Sequence, residues 1–353
     1  MGTQEQAQGT VQQDREELLG RVASLVCDED EVSLDDVRAN LAACIDQTLL
    51  DPAAGPEAVA TQARAHAFSG FASLTVFPSD AGRVAWELAQ LGSGTPVCCA
   101  LACPHGRDAS DSLCFSTAIA LASGASELAL AMNLGAFTEG SLADVAEPIQ
   151  SVLRTIDAGD DDEDDDEGVD DEYDDECDCG DDCDCGHDRH DHDHECCGHH
   201  EHGCDDEGED CGCDEDCGCD EVDDFDEDDE HEHDHGSQAA LKVAIETGSL
   251  TAEQVCSASD VVSSLGVDFV VAGTGFGSRD ASVEDVRLMC ATVEPGVQVE
   301  AAGAFKTLAS VVALLEAGAT RIGTPFGPEI LAEFDSLTAD LGAPLQEDGP
   351  AEG

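Results

Sequence analysis

The residues best suited to chemistry in this chain are cysteines in a repeated pattern. Residues 177–185 and 211–219 each carry the spacing Cys-x-Cys-x-x-x-Cys-x-Cys. A Cys-x-Cys pair can place two sulfurs on one ion, and two such pairs complete a tetrahedral four-thiolate shell. Thiolates favour soft ions such as Zn(II) and Cu(I). The predicted thiolate ligands are Cys177, Cys179, Cys183, Cys185, Cys211, Cys213, Cys217 and Cys219.

Histidines and further cysteines lie between and after these two segments. Imidazole adds capacity for zinc, nickel or copper, and surrounding carboxylates raise the local cation concentration. The alternative is acidic low-complexity sequence in which Cys and His occur by drift, but drift does not readily duplicate a four-cysteine spacing. We expect the segment to be disordered without metal and locally ordered with it. The additional predicted ligands are His187, His190, His192, His194, Cys196, Cys197, His199, His200, His202, Cys204, His231, His233 and His235.

Charge and composition separate this segment from the rest of the chain. The formal net charge is -68, from 81 acidic and 13 basic residues. About 43 of the acids, 11 of the 19 cysteines and 10 of the 12 histidines lie within residues 157–235, where Arg189 is the only basic residue. The remaining residues are rich in Ala, Val, Leu and Gly and suffice for one large core.

The same composition excludes several classes of function. Nucleic-acid binding needs basic surface, which this chain lacks. The amino terminus lacks the basic and apolar regions of a secretory signal peptide. No apolar run reaches about 18 residues, so we expect no membrane span. We therefore expect a cytosolic protein without an organic cofactor. Its cysteines should be thiols or metal thiolates rather than disulfides.

Repeating strand and helix signals predict the fold that positions these residues. Eight short apolar runs are each followed by turn residues and a helical pattern, as parallel strands buried on both faces should be. Eight such units predict an α/β protein with a (β/α)8 TIM barrel; a doubly wound open sheet is the alternative. The predicted strands are residues 44–49, 71–77, 97–103, 127–133, 241–247, 268–274, 298–303 and 321–324.

The domain organisation follows from these units. Residues 1–40 form an amino-terminal tail and two helices (14–27 and 34–43), with residues 1–12 disordered, and residues 343–353 form a disordered tail. Residues 41–156 and 238–342 form the two halves of the barrel. The acidic insert, residues 157–237, falls between the fourth helix and fifth strand of the barrel. That connection lies on the face opposite to barrel active sites, so we expect an appendage rather than a catalytic lid.

Seven short sequence segments resemble deoxyribose-phosphate aldolase. They occur in the same order as in that family, between about residues 41 and 340. The resemblance implies a (β/α)8 barrel and a class I aldolase. Such an enzyme cleaves 2-deoxyribose 5-phosphate to glyceraldehyde 3-phosphate and acetaldehyde through a lysine Schiff base. The segments are residues 45–50 (IDQTLL), 103–106 (CPHG), 127–133 (ELALAMN), 242–248 (KVAIETG), 268–277 (DFVVAGTGFG), 284–289 (EDVRLM) and 317–324 (AGATRIGT).

The catalytic positions implied by this resemblance carry the wrong residues. The Schiff-base lysine position is Val271, and the position of a second lysine that lowers its pKa is Glu300. The proton-transferring aspartate position is Ala129, and Pro325 replaces a phosphate-contacting serine. Valine and alanine offer neither a nucleophile nor a transferable proton. We therefore predict a catalytically degenerate barrel, a pseudoenzyme, that carries the metal-binding insert.

Two lysines bear on the alternative, an active 2-deoxyribose 5-phosphate lyase with a relocated Schiff base. Lys306 follows the seventh strand on the active face, whereas Lys242 is expected at the start of the fifth strand, on the opposite face. A metal-dependent aldolase served by the insert is a third, weaker hypothesis. Predicted partners are a sugar phosphate, metal ions and a second copy of the chain. The predicted sugar-phosphate contacts are Asp46, Thr48, Gly275, Gly303 and Thr324.

Overall fold

Eight parallel strands close into a barrel in chain order, from β1 to β8. The structure is a computed structural model that describes residues 2–27, 32–160 and 239–342. It confirms the predicted (β/α)8 barrel. The strands are β1 (Ile45–Thr48), β2 (Ser73–Val76), β3 (Val97–Leu101), β4 (Glu127–Ala131), β5 (Ala240–Ala244), β6 (Phe269–Val271), β7 (Gln298–Ala302) and β8 (Arg321–Thr324).

Helices follow the strands, and two further helices precede the barrel. In the described residues the fourth strand is followed by two helices, α6 and α7, and a short 3-10 turn at Thr247–Ser249 precedes α8. The helices are α1 (Gly2–Val26), α2 (Leu34–Ala43), α3 (Pro56–His66), α4 (Pro78–Leu91), α5 (Ser110–Ala122), α6 (Leu134–Glu139), α7 (Leu142–Asp160), α8 (Ala252–Ser263), α9 (Val283–Cys290), α10 (Leu308–Glu316) and α11 (Gly327–Gly342).

The amino-terminal helix is longer than the sequence suggests. We predicted disorder over residues 1–12 and a helix from residue 14, but α1 already begins at Gly2. The early residues are largely Gln, Glu and Ala, which have high helix propensity even without an apolar stripe. Leu19 and Val22 are buried, and α1 packs against α2, α10 and α11. The helix therefore lies against the barrel by its carboxyl-terminal half.

Capping boxes begin two helices in the second half of the barrel. At α8 the Thr251 hydroxyl accepts from the amide of Gln254, whose side chain accepts from the amide of Thr251. Ser282 and Asp285 form the same capping box at α9. Gly318, with φ of 110°, follows the end of α10. Each reciprocal cap satisfies amides that a helix start leaves unpaired.

The insertion point agrees with the sequence. The chain leaves the barrel after α7 and returns at β5, a helix-to-strand connection. All the predicted metal ligands, from Cys177 to His235, lie outside the described residues, as does the tail 343–353. In the parts of the chain that the structure describes, no helix is long and apolar enough to cross a membrane.

Candidate functional site

A buried ion cluster fills the lower interior of the barrel, with Lys242 on β5 at its centre. The Lys242 side chain is 1% exposed. Its Nζ lies 2.7 Å from Asp46 Oδ2, 2.8 Å from Glu127 Oε2 and 3.2 Å from Glu300 Oε2. Four strands thus direct charged side chains to one point, because alternate residues of each strand face the interior.

Arg321 on β8 supplies the second cation of the cluster. Its NH1 donates to Asp46 Oδ1 at 2.7 Å, and its NH2 reaches Glu127 Oε1 at 3.4 Å. The Ser73 hydroxyl also donates to Asp46 Oδ1, at 2.7 Å. Burial alone would raise the pKa of Asp46, but Lys242 and Arg321 outweigh it and hold that pKa below its ordinary value. Asp46 is therefore an ionised, fully partnered carboxylate.

Glu300 is a buried carboxyl group whose burial is only partly offset by its charged neighbours. Burial raises its pKa to about 7; Lys242 opposes the shift and Asp46 adds to it. The cluster holds three carboxyl groups against two cations, so one proton on Glu300 makes it neutral overall. Glu300 Oε1 packs against Gly323, where an added Cβ would lie 2.5 Å away. Glycine at that position leaves room for the carboxyl group.

Lys242 is held in its charged form. Burial lowers its pKa, but the carboxylates of Glu300 and Asp46 outweigh burial and keep that pKa well above its ordinary value. A protonated amine has no lone pair with which to attack a carbonyl. The prediction that Lys242 lies on the opposite face, away from the pocket, is wrong. The side chain points into the barrel because alternate residues of a barrel strand face the interior, and Lys242 is one of these on β5.

A small cavity of about 50 Å³ lies directly above this cluster. Lys242 and Glu300 line its floor, and Ala129, Val271 and other small residues line its walls. We call this space the deep cavity. Its remaining lining residues are Thr48, Leu50, Thr75, Cys98, Ala100, Cys103, Ala131, Ala244, Gly273, Thr274 and Ala302.

A larger cavity of about 350 Å³ opens at the carboxyl ends of the strands, where barrel active sites form. We call it the outer cavity. Thr48, Gly275 and Gly303, three of the predicted ligand contacts, line it. Thr324 is fully buried, and its hydroxyl donates to the carbonyl of Phe305 at 2.9 Å. Asp46 lies in the ion cluster beneath the cavities.

A carboxylate accepts a hydrogen bond from a backbone amide next to Gly303, one of the predicted phosphate contacts. Asp280 Oδ1 accepts from the amide of Ala304 at 2.9 Å, and Ala304 lines the outer cavity. Gly303 leaves the room for this contact, since an added Cβ would lie 2.7 Å from Asp280 Cβ. A phosphate at this amide would meet a negative charge. The geometry therefore favours a ligand of low charge over a strongly anionic one.

Lys306 lies at the surface. Its Nζ is 4.4 Å from the centre of the Phe326 ring, a cation–π contact, and the side chain is exposed. In the part of the chain that the structure describes, Lys306 lines neither the deep cavity nor the outer cavity.

The ion cluster is the part of the site that sequence reasoning missed. Glu127 and Arg321 are the first residues of β4 and β8, and Lys242 is the middle residue of the otherwise apolar β5. Charged residues are rarely buried unless paired, so a lysine, an arginine and acids in such strands already indicated an internal ion network. Within residues that the structure describes, no group of three or more His, Cys, Asp or Glu side chains is arranged to hold a metal ion.

Comparison with known proteins finds relatives among the deoxyribose-phosphate aldolases. No family model matches the chain. The deoxyribose-phosphate aldolase of Thermococcus gammatolerans is 46% identical over 97 residues, which is 28% of this chain and 43% of that protein. Deoxyribose-phosphate aldolase 2 of Staphylococcus aureus is 26% identical over 300 residues, 84% of this chain and 98% of that protein. The chain thus spans less than half of the first relative and nearly all of the second.

Solved structures give the same fold. The aldolase QR15 superposes with a TM-score of 0.59 at 20% identity, covering 85% of this chain and 98% of that one. The deoxyribose phosphate aldolase of Aeropyrum pernix, described as a unique tetramer, gives 0.58 at 17% identity, covering 91% of this chain and 97% of that one. The chain therefore has deoxyribose-phosphate aldolase homologues in sequence and structural neighbours among the same proteins.

Proposed function

We propose that this homologue of deoxyribose-phosphate aldolases has lost Schiff-base lyase chemistry and carries an insert that binds soft metal ions. One observation carries the first half of the proposal. Val271 and Ala129 line the deep cavity at the positions that the resemblance assigns to the Schiff-base lysine and the proton-transferring aspartate. Their hydrocarbon side chains can neither attack a carbonyl nor move a proton.

Neither lysine of the chain is a ready substitute. Lys242 reaches the deep cavity, but three carboxylates hold its amine in the charged form. Lys306 is exposed and stacks on Phe326. A Schiff-base lysine needs a lowered pKa from burial or a neighbouring cation. The surroundings of both lysines work against this requirement.

A small-molecule ligand remains part of the proposal. The outer cavity, at about 350 Å³, is within the usual size range for small-molecule sites. Thr48, Gly275 and Gly303 offer polar and backbone contacts there. Because Asp280 holds the Ala304 amide, we expect a sugar phosphate to bind more weakly than to a site with free amides. Asp280→Asn should then strengthen binding of 2-deoxyribose 5-phosphate, measured by titration calorimetry.

Turnover of 2-deoxyribose 5-phosphate tests the loss of lyase activity. The purified chain is assayed for release of glyceraldehyde 3-phosphate, beside Lys306→Ala. We expect no turnover above the uncatalysed rate. Turnover that disappears in Lys306→Ala would establish the alternative, an active lyase with a relocated Schiff base.

Metal content tests the second half of the proposal. Thiolates of the two repeated segments are the expected ligands for zinc or copper. In the full chain, serine replaces all eight cysteines of residues 177–185 and 211–219. We expect bound zinc or copper, measured by elemental analysis after gel filtration, to fall sharply in this variant. Equal metal content in both proteins would contradict a thiolate site. The cytosolic location and self-association remain predictions from the sequence.

A further inference from the structure

The deep cavity holds a carboxyl group and an ammonium group at one end of a mostly apolar space. The Glu300 side chain is 8% exposed, and its Oε2 lies 3.2 Å from Lys242 Nζ. That oxygen makes no aligned hydrogen bond with any described residue. Oε2 of Glu127 pairs with the same lysine and also makes no hydrogen bond within the described residues, so the feature that distinguishes Glu300 is its place in the lining of the deep cavity.

The space above Glu300 suits a molecule of two or three carbons. Its volume is about 50 Å³, which is more than the space that a single water needs. Ala129, Val271 and Ala302 supply apolar walls, and Thr48 supplies a hydroxyl. A small aldehyde or ketone fits this combination, with its carbonyl toward the polar floor.

We propose that Glu300 acts as a general base that removes a proton from the α-carbon of a small aldehyde or ketone in the deep cavity. The ionised carboxyl group takes the α-proton. The C–H electron pair forms a carbon–carbon double bond, and the carbonyl pair moves onto oxygen as an enolate. The protonated Glu300 exchanges its proton with solvent water and then returns a proton to carbon, so the compound is unchanged and no co-reactant other than water is needed.

Lys242 stabilises the charge that develops in this step. Its carboxyl partners are Asp46, Glu127 and Glu300. Once Glu300 carries a proton, its attraction for Lys242 falls, so the ammonium group can interact with the enolate oxygen. A preformed, buried cation is effective at stabilising such charge. This activity goes beyond the proposed function, because no imine forms and no carbon–carbon bond breaks.

The pH dependence follows from the groups around Glu300. Burial raises the pKa of the Cys98 thiol well above its ordinary value, so the thiol stays neutral. Lys242 and Arg321 have raised pKa values and Asp46 a lowered one, so these three stay charged. The pKa of Glu300 is about 7, so exchange should increase between about pH 6 and 8 as it ionises. The charged and titratable groups that face the cluster are Asp46 on β1, Cys98 on β3, Glu127 on β4, Lys242 on β5 and Arg321 on β8.

Deuterium exchange tests the proposal. The full chain is mixed with acetone or acetaldehyde in D₂O, and loss of the α-proton signal is followed by proton NMR. We expect Glu300→Gln to slow the protein-dependent exchange by at least about 100-fold, the usual contribution of a general base. The matched control is Glu87→Gln, since Glu87 is also buried but pairs with Arg64 on the outside of the barrel. It should exchange at the wild-type rate.

Two further variants keep the test decisive. Ala129→Leu fills the deep cavity without removing a charge, so it should abolish exchange while circular dichroism stays unchanged. Lys306→Ala should exchange like the wild type. Exchange at the wild-type rate in a folded Glu300→Gln or Ala129→Leu protein would overturn the proposal. Loss of exchange in Lys306→Ala would also overturn it, because that loss indicates an imine at Lys306. The loss of lyase function is judged separately, by turnover of 2-deoxyribose 5-phosphate.

Discussion

Replacing Lys242 by methionine should destabilise the barrel strongly, because it removes the central cation of a buried cluster. Asp46, Glu127 and Glu300 would then face Arg321 alone, which pairs with the first two at 2.7 and 3.4 Å. Breaking a buried ion pair from one side costs about 3–5 kcal/mol. Because protonation of Glu300 relieves part of the excess negative charge, the loss should lie near the lower value in acid and near the upper value above neutrality.

The pH trend has a definite sign. Without Lys242 the pKa of Glu300 should move further above its unfolded value, since the lysine opposes the upward shift. A carboxyl group with a raised folded pKa stabilises the fold at low pH and loses that stabilisation as pH rises. The cost of Lys242→Met should therefore be larger at pH 8 than at pH 5.5.

Urea unfolding of the full chain, followed by far-ultraviolet circular dichroism at both pH values, measures this cost. The matched control is Lys306→Met, which removes the other lysine of the chain from an exposed position and should leave the midpoint nearly unchanged. A cost under about 1 kcal/mol at pH 8, the range of exposed ion pairs, would refute the reasoning. So would a larger cost at pH 5.5.

Three further changes probe other parts of the structure. Glu300→Gln should gain stability relative to the wild type as pH rises from 5 to 8, because the pKa of Glu300 is raised to about 7; urea midpoints that move the other way would contradict this shift. Val271→Lys should place an amine in the deep cavity, where burial and Lys242 lower its pKa and Glu300 opposes that shift. Borohydride should then trap acetaldehyde on the new side chain, as read by peptide mass spectrometry, and a missing adduct would show that the position does not face the cavity. Gly106→Ala should lower stability by at least about 1–3 kcal/mol, because φ there is 63° and a Cβ would lie 2.1 Å from a backbone oxygen. In thermal melts Gly94→Ala, with no atom within 4 Å of the added carbon, should match the wild type.

Strand positions could be predicted because parallel barrel strands are buried on both faces. The predicted strand 321–324 coincides with β8, but the prediction 241–247 runs past the end of β5 at Ala244. Ile245 and Thr247 are buried and therefore look like strand residues. Glu246 between them has φ of 57°, which interrupts the extended backbone of the strand. Burial continues there while strand geometry does not, and composition alone cannot distinguish the two.

The site could be predicted only in part. The segments that resemble the aldolase family were enough to indicate that Val271 and Ala129 occupy that family's catalytic positions. Both residues line the deep cavity. The pairing of Lys242 with Asp46 joins residues 196 positions apart and exists only once the barrel closes. The raised pKa of Glu300 depends on that closure as well. Contacts of this kind need the three-dimensional register of all eight strands.

Borohydride reduction of the wild-type chain with 2-deoxyribose 5-phosphate tests the loss of Schiff-base chemistry most directly. An imine between a lysine and the substrate is reduced to a stable amine, which peptide mass spectrometry locates. We predict no adduct at either lysine, with Val271→Lys as the positive control. An adduct at Lys306 or Lys242 in the wild-type chain would contradict the loss of Schiff-base chemistry and identify the lysine that performs it.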